Sequence, residues 1–302
     1  MKLIAFVLLS FLLSLSLSAQ KRFDLFNITG NYNLEPGVFD FLGDNETALT
    51  SNLSIPLVLN DSSVWFNSID YQYYSIGNTF TETAPIDQFK LHGLILRTGY
   101  IHRFNAKQSL QMLLVPRIMT DFNASLSNSL QWGGIVMYEK KKNADFTWRA
   151  GVLYNQEFFG TQVVPLLYLD WNVTRKLKVK GLFPIYGKVF LQSNERIAYG
   201  LHFVGLTTSY ALDETLNENR YVERRAIDVS LFAKIQVWNN LFLESRAGKS
   251  VTKNYGLFAK GDKLDLALPL VNFGDDRTRL NETLGSTTPF FHLRFIYSIA
   301  TD

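Results

Sequence analysis

Four histidines, at positions 92, 102, 202 and 292, are the first side chains that could do chemistry. They fall on three separate strand candidates without the spacing of metal ligands, so no metal centre is expected. The chain has no cysteine, which removes disulfides, thiolate metal sites and cysteine nucleophiles together. It carries no glycine-rich phosphate loop and no Gly-x-Ser-x-Gly turn. A barrel enzyme acting on lipid would need Ser, His and an acid gathered near one rim. His292, close to Arg294, is the one histidine placed for that test, and a hydrogen bond inside a lumen accounts for it more simply. The acidic clusters Asp40 to Glu46 and Asp275-Asp276 have the oxygen chemistry of a divalent-cation site, but solvated loops have the same composition. No catalytic residue, cofactor or metal is assigned.

What remains is charge carried on strands. From Ile227 to Val237 every second residue is apolar, with Asp228, Ser230, Phe232, Lys234 and Gln236 between, which is the period of a strand with one oily and one wet face. Leu241 to Gly248 alternates again, with Leu241, Leu243 and Ala247 on one face and Phe242, Glu244 and Arg246 on the other. This is a hairpin, and its register can be derived. A two-residue Asn239-Asn240 turn would set Ile235 opposite Glu244 and Ala233 opposite Arg246, driving both charges onto the oily face. A three-residue loop, Trp238-Asn239-Asn240, pairs Val237 with Leu241, Ile235 with Leu243 and Lys234 with Glu244; asparagine tolerates the left-handed backbone it needs. The same demand on Val163 to Ile185 selects the loop Thr174-Arg175-Lys176. It places Val173 opposite Leu177, Trp171 opposite Val179, Asp170 opposite Lys180 and Asn172 opposite Lys178. In both hairpins a clean apolar face brings complementary polar groups together on the other. Such pairs contribute little on an open surface and more inside a narrow barrel, where screening is weaker.

These hairpins need a frame. Met1-Lys2, the apolar run Leu3 to Leu17 and Ser18-Ala19-Gln20 form a secretory signal over 1–19, leaving 20–302 as one domain. Lys2 is the one charge that cleavage would remove from a net +3, and nothing suggests nucleic acid as a partner. The chain is 14% aromatic and its mean hydropathy is near zero, yet no stretch after the signal has the length of a transmembrane helix. Its apolar residues are spread by alternation. Leu53, Ile55, Leu57 and Leu59 lead through the turn Asn60 to Ser63 into Trp65, Ile69, Tyr71 and Tyr73. Phe89 to Phe104 points Arg97 and Arg103 to water, while Leu94, Leu96, Tyr100 and Phe104 face the apolar side and carry His92 and His102 with them. Those histidines stand roughly 33 Å apart along the strand, near opposite interfaces. Leu110 to Asp121 carries Arg117. Leu130 to Glu139 and Phe146 to Gln156 end in Trp and Tyr, as an interfacial girdle would. Arg196 to Leu212 and Phe291 to Ile299 alternate clearly. Phe23 to Tyr32 is a weaker strand, Tyr255 to Val271 is apolar but poorly phased, and Phe273 to Ser286 reads as a charged loop. The total is about twelve strands, within 10–14. Several exceed the spacing of turns in a soluble sandwich, so the expected fold is all-β, a transmembrane up-and-down antiparallel β-barrel of a Gram-negative outer membrane.

The signal end Ser18-Ala19-Gln20 and the strands Leu53 to Leu59, Leu94 to Phe104 and Tyr199 to Tyr210 together resemble a Bacteroidota outer-membrane β-barrel family known only as a domain of unknown function. The resemblance covers most of the mature chain through strand texture. It implies the barrel and no activity, so no functional residue carries over. The final Ile299-Ala300-Thr301-Asp302 departs from the terminal aromatic common in such barrels, Tyr297 being the last. Two functional classes fit. In a small-solute channel or transporter, inward Arg97, Arg117, Asp170, Lys178 and Lys180, with Lys234, Glu244, Arg246 and Arg294, would set selectivity. In a structural or binding barrel the same charges fill a closed lumen, and the outer loops recognise a partner. A lipid-modifying enzyme is a distant third. The expected surroundings are outer-membrane lipid and the expected cargo a small solute.

Overall fold

The computed structural model describes residues 21–31, 46–76, 89–213, 220–269, 271–285 and 289–301. The signal segment 1–19 and the acidic residues Asp40 to Asn45 lie outside the described residues. Alternation along the chain produces one antiparallel sheet that closes on itself. Strand β1 (Lys21–Asn31) pairs with β2 (Glu46–Asn60), β2 with β3 (Ser63–Ile76), and β3 with β4 (Phe89–Asn105). Pro116 cannot donate to a ladder and splits the next wall position into β5 (Gln108–Leu114) and β6 (Arg117–Thr120), both on β4. A helical turn, α1 (Leu126–Ser129), leads to β7 (Leu130–Gln131) on β6 and β8 (Gly133–Lys141) on β5. Next come β9 (Phe146–Glu157), β10 (Gly160–Asn172), β11 (Leu177–Phe183) and β12 (Tyr186–Gln192), then β13 (Ile197–Ala211), β14 (Arg220–Trp238) and β15 (Leu241–Ala259). Each of these pairs with its predecessor. Short strands β16 (Leu264–Ala267), β17 (Asn272–Phe273) and β18 (Asn281–Gly285) form an insertion, and β19 (Pro289–Thr301) pairs with both β15 and β1 to close the ring.

Taking β5–β6 and β7–β8 as one wall position each, the barrel has fourteen strands, at the upper limit of the expected range. The strand that periodicity hides is β12. Its seven residues put Tyr186 and Phe190 on the same face as Lys188, so apolar and polar no longer alternate. The two derived registers hold. Lys234 opposes Glu244 and Ile235 opposes Leu243, although a bulge after Gln236 puts Trp238 rather than Val237 opposite Leu241. Asp170 opposes Lys180, Trp171 opposes Val179, and Asn172 opposes Lys178.

From Ile227 to Val237 the odd-numbered apolar residues of β14 face outward, with Leu231 65% exposed; on β2, Leu57 is 50% exposed. A belt of bare Leu, Ile and Val around a closed barrel is the surface of a membrane-spanning wall. Aromatic side chains bound it. Tyr138 meets Trp148 (ring centroids 6.0 Å) and Phe146 meets Trp171 (5.7 Å) near the short turns. Near the long connections, Tyr71 OH bonds His92 Nδ1 at 2.9 Å and the His92 ring lies 4.1 Å from Phe122. His102 sits at the other end of β4, edge-on to Phe104. Both histidines therefore stand on the outer face at opposite rims, as their spacing implied.

Short turns occupy one end of the barrel, here the turn end, and longer connections the other, the loop end. Two tight connections at the loop side are exceptions, β11–β12 through Pro184-Ile185 and β9–β10, and the latter depends on Gly160, whose φ of +127° an L side chain rarely adopts. The segment that looked poorly phased, Tyr255 to Val271, runs on through β16 of the insertion and begins in the upper part of β15. There Tyr255, Leu257 and Phe258 are all buried because one face packs into the mouth of the barrel and the other under the insertion. A strand covered on both sides loses its period of two.

Candidate functional site

The mouth at the loop end is filled by the chain's own hairpin. Thr208 to Leu212 at the end of β13 and Tyr221 to Arg224 at the start of β14 are buried on both faces. Their contacts lie far around the ring. Ala211 bridges to Thr120 on β6, and its carbonyl accepts from Asp121 N at 3.0 Å. Ser209 donates through N (3.0 Å) and Oγ (2.7 Å) to Glu157 Oε2 on β9, while Arg117 Nη1 on β6 holds Glu157 Oε1 at 2.8 Å. Gln131 Nε2 reaches the Ser209 carbonyl at 3.2 Å. Tyr210, fully buried, donates its hydroxyl to Gln72 Oε1 on β3 (3.3 Å) and packs edge-on to Tyr74. Arg224 makes two 2.9 Å bonds to Glu46 at the start of β2 and lies 4.0 Å over the Tyr74 ring. Around these, Ile76, Leu91, Val115, Met119, Leu212 and Val222 form one apolar cluster. Hydrogen bonds fix the plug's position, and apolar contact excludes water around it.

Glu46 thus corrects the reading of residues 40–46 as solvated acids. It is 4% exposed and its carboxylate is taken by Arg224, with Lys253 Nζ at 3.5 Å. Asp275 stays at the surface, as the reading of a solvated acid has it, but its carboxylate has a partner. On the insertion, Arg277 Nε and Nη2 grip Asp275 at 2.7 and 3.0 Å, while Nη1 bonds Glu223 at 2.7 Å and Tyr221 OH at 3.2 Å. The guanidinium also lies over Phe258. The insertion is clamped onto the plug, and Asp276 beside it stays exposed.

The Arg277 hydrogen bonds hold the Asp275 carboxyl down at about 2, against the opposing effect of burial. A depressed folded-state pKa means that this stabilisation is complete above the ordinary carboxylate value of 3.8 and is lost as pH falls through about 2. Pepsin cleavage within the insertion is therefore expected to rise steeply between these values. Asp275→Asn should raise tryptic cleavage after Arg277 or Arg279 several-fold at neutral pH; equal cleavage in both proteins would remove the clamp from the argument.

The nine charges that patterning singled out lie on the strand faces opposite the exposed apolar residues, Arg117 at the mouth and the others below the plug. Arg97 pairs with Asp70, and Arg117 belongs to the mouth. Asp170 and Lys180 stand 3.8 Å apart with side chains 42% and 46% exposed, although both point inward. Lys178 opposes Asn172 and makes no ion pair among the described residues. Glu244 is the hub. It is fully buried and takes Lys188 Nζ at 2.7 Å, Arg246 at 2.6 Å and Arg294 at 3.8 Å.

The ion pair expected between Lys234 and Glu244 is replaced. The Lys234 ammonium lies 4.5 Å over the Phe242 ring, and Lys188, reaching across from β12, fills its place. Register along a hairpin cannot see a side chain arriving from two strands further round. For the same reason sequence reasoning missed Lys188, Glu46, Glu157, Arg224 and Tyr210. His292 stacks on Phe290 at 4.3 Å, and His202 Nδ1 lies 3.4 Å from Ser230 Oγ. Both are inward, and neither lies in a Ser-His-acid arrangement at a rim.

Comparisons with known proteins follow from this geometry. Residues 47–263 match the model of a family described as "Domain of unknown function (DUF6268)". No curated protein matches the chain. Among solved structures, the NanC porin is similar at 8% identity and a TM-score of 0.38, covering 90% of this chain and 98% of its own. LpxR from Salmonella typhimurium is similar at 10% identity and 0.35, covering 92% and 99%. The Pseudomonas putida toluene transporter TodX is similar at 10% identity and 0.33, covering 92% and 88%. At these scores the likeness assigns no substrate.

Proposed function

Since the chain belongs to the DUF6268 family, whose description names no activity to transfer, we propose from the geometry that it is an outer-membrane barrel closed at its loop end. It acts as a binding barrel with a charged vestibule open at the turn end, rather than as a standing pore. The observation that carries this is Tyr210, which has no exposed surface and ties the β13–β14 hairpin to β3 on the far wall. The bare apolar belt and its aromatic rims support the membrane location. Ser18-Ala19-Gln20 supports export through a signal peptide over 1–19, and the strand texture supports a Bacteroidota source. Outer-membrane lipid is then the surroundings, and among the described residues the catalytic reading finds no Ser-His-acid arrangement at a rim to rest on.

The test is single-channel recording in a planar bilayer, after heat-modifiable gel migration has shown a folded barrel. Wild-type protein is expected to stay silent. Steady conductance from the wild type would overturn the closed reading and restore the constitutive channel.

A further inference from the structure

The vestibule has an unbalanced charge. Along one run of paired residues across the sheet lie Asp170, Lys180, Lys188 and His202. Along another lie Lys234, Glu244 and Arg294. The Lys188 to Glu244 bond of 2.7 Å joins the two across the lumen, so groups from seven strands are brought together. Asp24 on β1 joins the set. Ser298 Oγ donates to it, and it lies within electrostatic reach of Lys180, Lys234 and Arg294. Asp228 lies within electrostatic reach of Arg246, and Lys178 of Asp170 and Lys180, so six cations, Lys178, Lys180, Lys188, Lys234, Arg246 and Arg294, face four carboxylates, Asp24, Asp170, Asp228 and Glu244.

Two positive charges are left without a counter-charge in a space walled by protein, where unscreened charge is costly. Water reaches this level, because Lys180 and Asp170 are nearly half exposed while pointing into the barrel. The acids do not saturate the cations. Lys180 is at the outer limit of ion-pair distance from Asp170, and Lys234 rests on a ring instead of a carboxylate. The Tyr168 and Tyr186 side chains lie close enough to Lys180 to interact with it electrostatically, so their hydroxyls add neutral donors beside the cations.

Resting on the vestibule of the closed-barrel reading, we infer that this cluster is a binding site for a small solute carrying two negative charges on oxygen, such as a phosphate or a dicarboxylate. Lys180 and Lys234 are its principal contacts, because their ammonium groups have the weakest ties to the protein's own acids. Lys and Arg recognise such oxygens through short charge-assisted hydrogen bonds, and the excess of two charges matches a dianion. Glu244 and its partners form the floor. They hold the level together and are not free to bind.

The test is isothermal titration of the purified full chain in detergent at low salt, with inorganic phosphate and succinate as separate probes. Saturable binding of at least one dianion is expected, and the two arms tell phosphate from dicarboxylate. Lys180→Met and Lys234→Met should each weaken the dissociation constant about tenfold, as removal of a charge-assisted bond to a dianion does. Lys140→Met, on the exposed rim beyond the hairpin, should leave it unchanged. Heat-modifiable migration checks that each variant is folded; if Lys180→Met fails to fold, Lys180→Gln takes its place. No saturable heat with either probe, or wild-type affinity in folded Lys180 and Lys234 variants, would overturn the site. The bilayer recording separates the two ideas. A conducting wild type sinks the closed mouth and leaves the titration to decide the site, whereas a silent barrel that binds neither dianion sinks the site alone.

Discussion

Replacing Glu244 by alanine is expected to cost the folded barrel about 3–5 kcal/mol, one of the two largest effects among the residues described. The reason is what remains after the carboxylate has gone. Lys188, Arg246 and Arg294 all point at one fully buried group, and without it three cations stand together without the one carboxylate that bonds them. The contrast is Asp170→Ala. Its partner Lys180 is 3.8 Å away and both side chains are nearly half exposed, so water replaces the lost pair and the expected cost is about 0–1 kcal/mol. Denaturant titration in detergent micelles, read by heat-modifiable migration, measures both. Similar costs for the two would mean that the Glu244 carboxylate is as wet as that of Asp170, and the argument for a desolvated hub would fail.

Glu244 also shows where the sequence is informative and where it stops. Its strand, its inward face and its opposition to Lys234 follow from the demand for a clean apolar face on a hairpin, and the same demand places Asp170 against Lys180. These are local rules, operating between neighbouring strands whose spacing the chain itself sets. Lys188 obeys no local rule. It sits on a seven-residue strand whose inward face carries Tyr186 and Phe190, and it finds Glu244 only because the wall closes.

The mouth repeats the lesson at larger scale. Thr208 to Leu212 read as the end of an alternating strand, which it is, but both faces are buried because the hairpin turns into the lumen. Nothing in a period of two says that the last turn of a strand leaves the wall. The acids that hold it there, Glu46 and Glu157, lie at strand ends, where charge ordinarily signals solvent. Closure of the ring brings those ends together, and closure is a property of all the strands at once.

The other large effect is expected at that mouth. Arg224 and Glu46 hold the β14 side of the plug, and two kinds of contact hold its β13 side in the lumen: the apolar cluster centred on Tyr210, and the polar line from Arg117 through Glu157 to Ser209. Removing either leaves the other, so Tyr210→Ala and Glu157→Ala should each give only brief openings in a bilayer. Together they should turn a silent barrel into one with steady current, more than the single variants predict by addition, because both contacts restrain the same hairpin. Each truncation also destabilises, since a buried aromatic ring is worth about 3–5 kcal/mol and an unpaired buried Arg117 costs a similar amount. Folding must therefore be checked by heat-modifiable migration before any recording is interpreted. Leu231→Ala, on the lipid face, serves as the control that should not conduct.

If the open variant conducts, ions must pass the level of Lys180 and Lys234. The excess of cations there should give anion preference, which Lys180→Glu should diminish. A doubly substituted barrel that is folded and silent would show that the hairpin is not what blocks the lumen, and the obstruction would have to be sought at the Glu244 level instead.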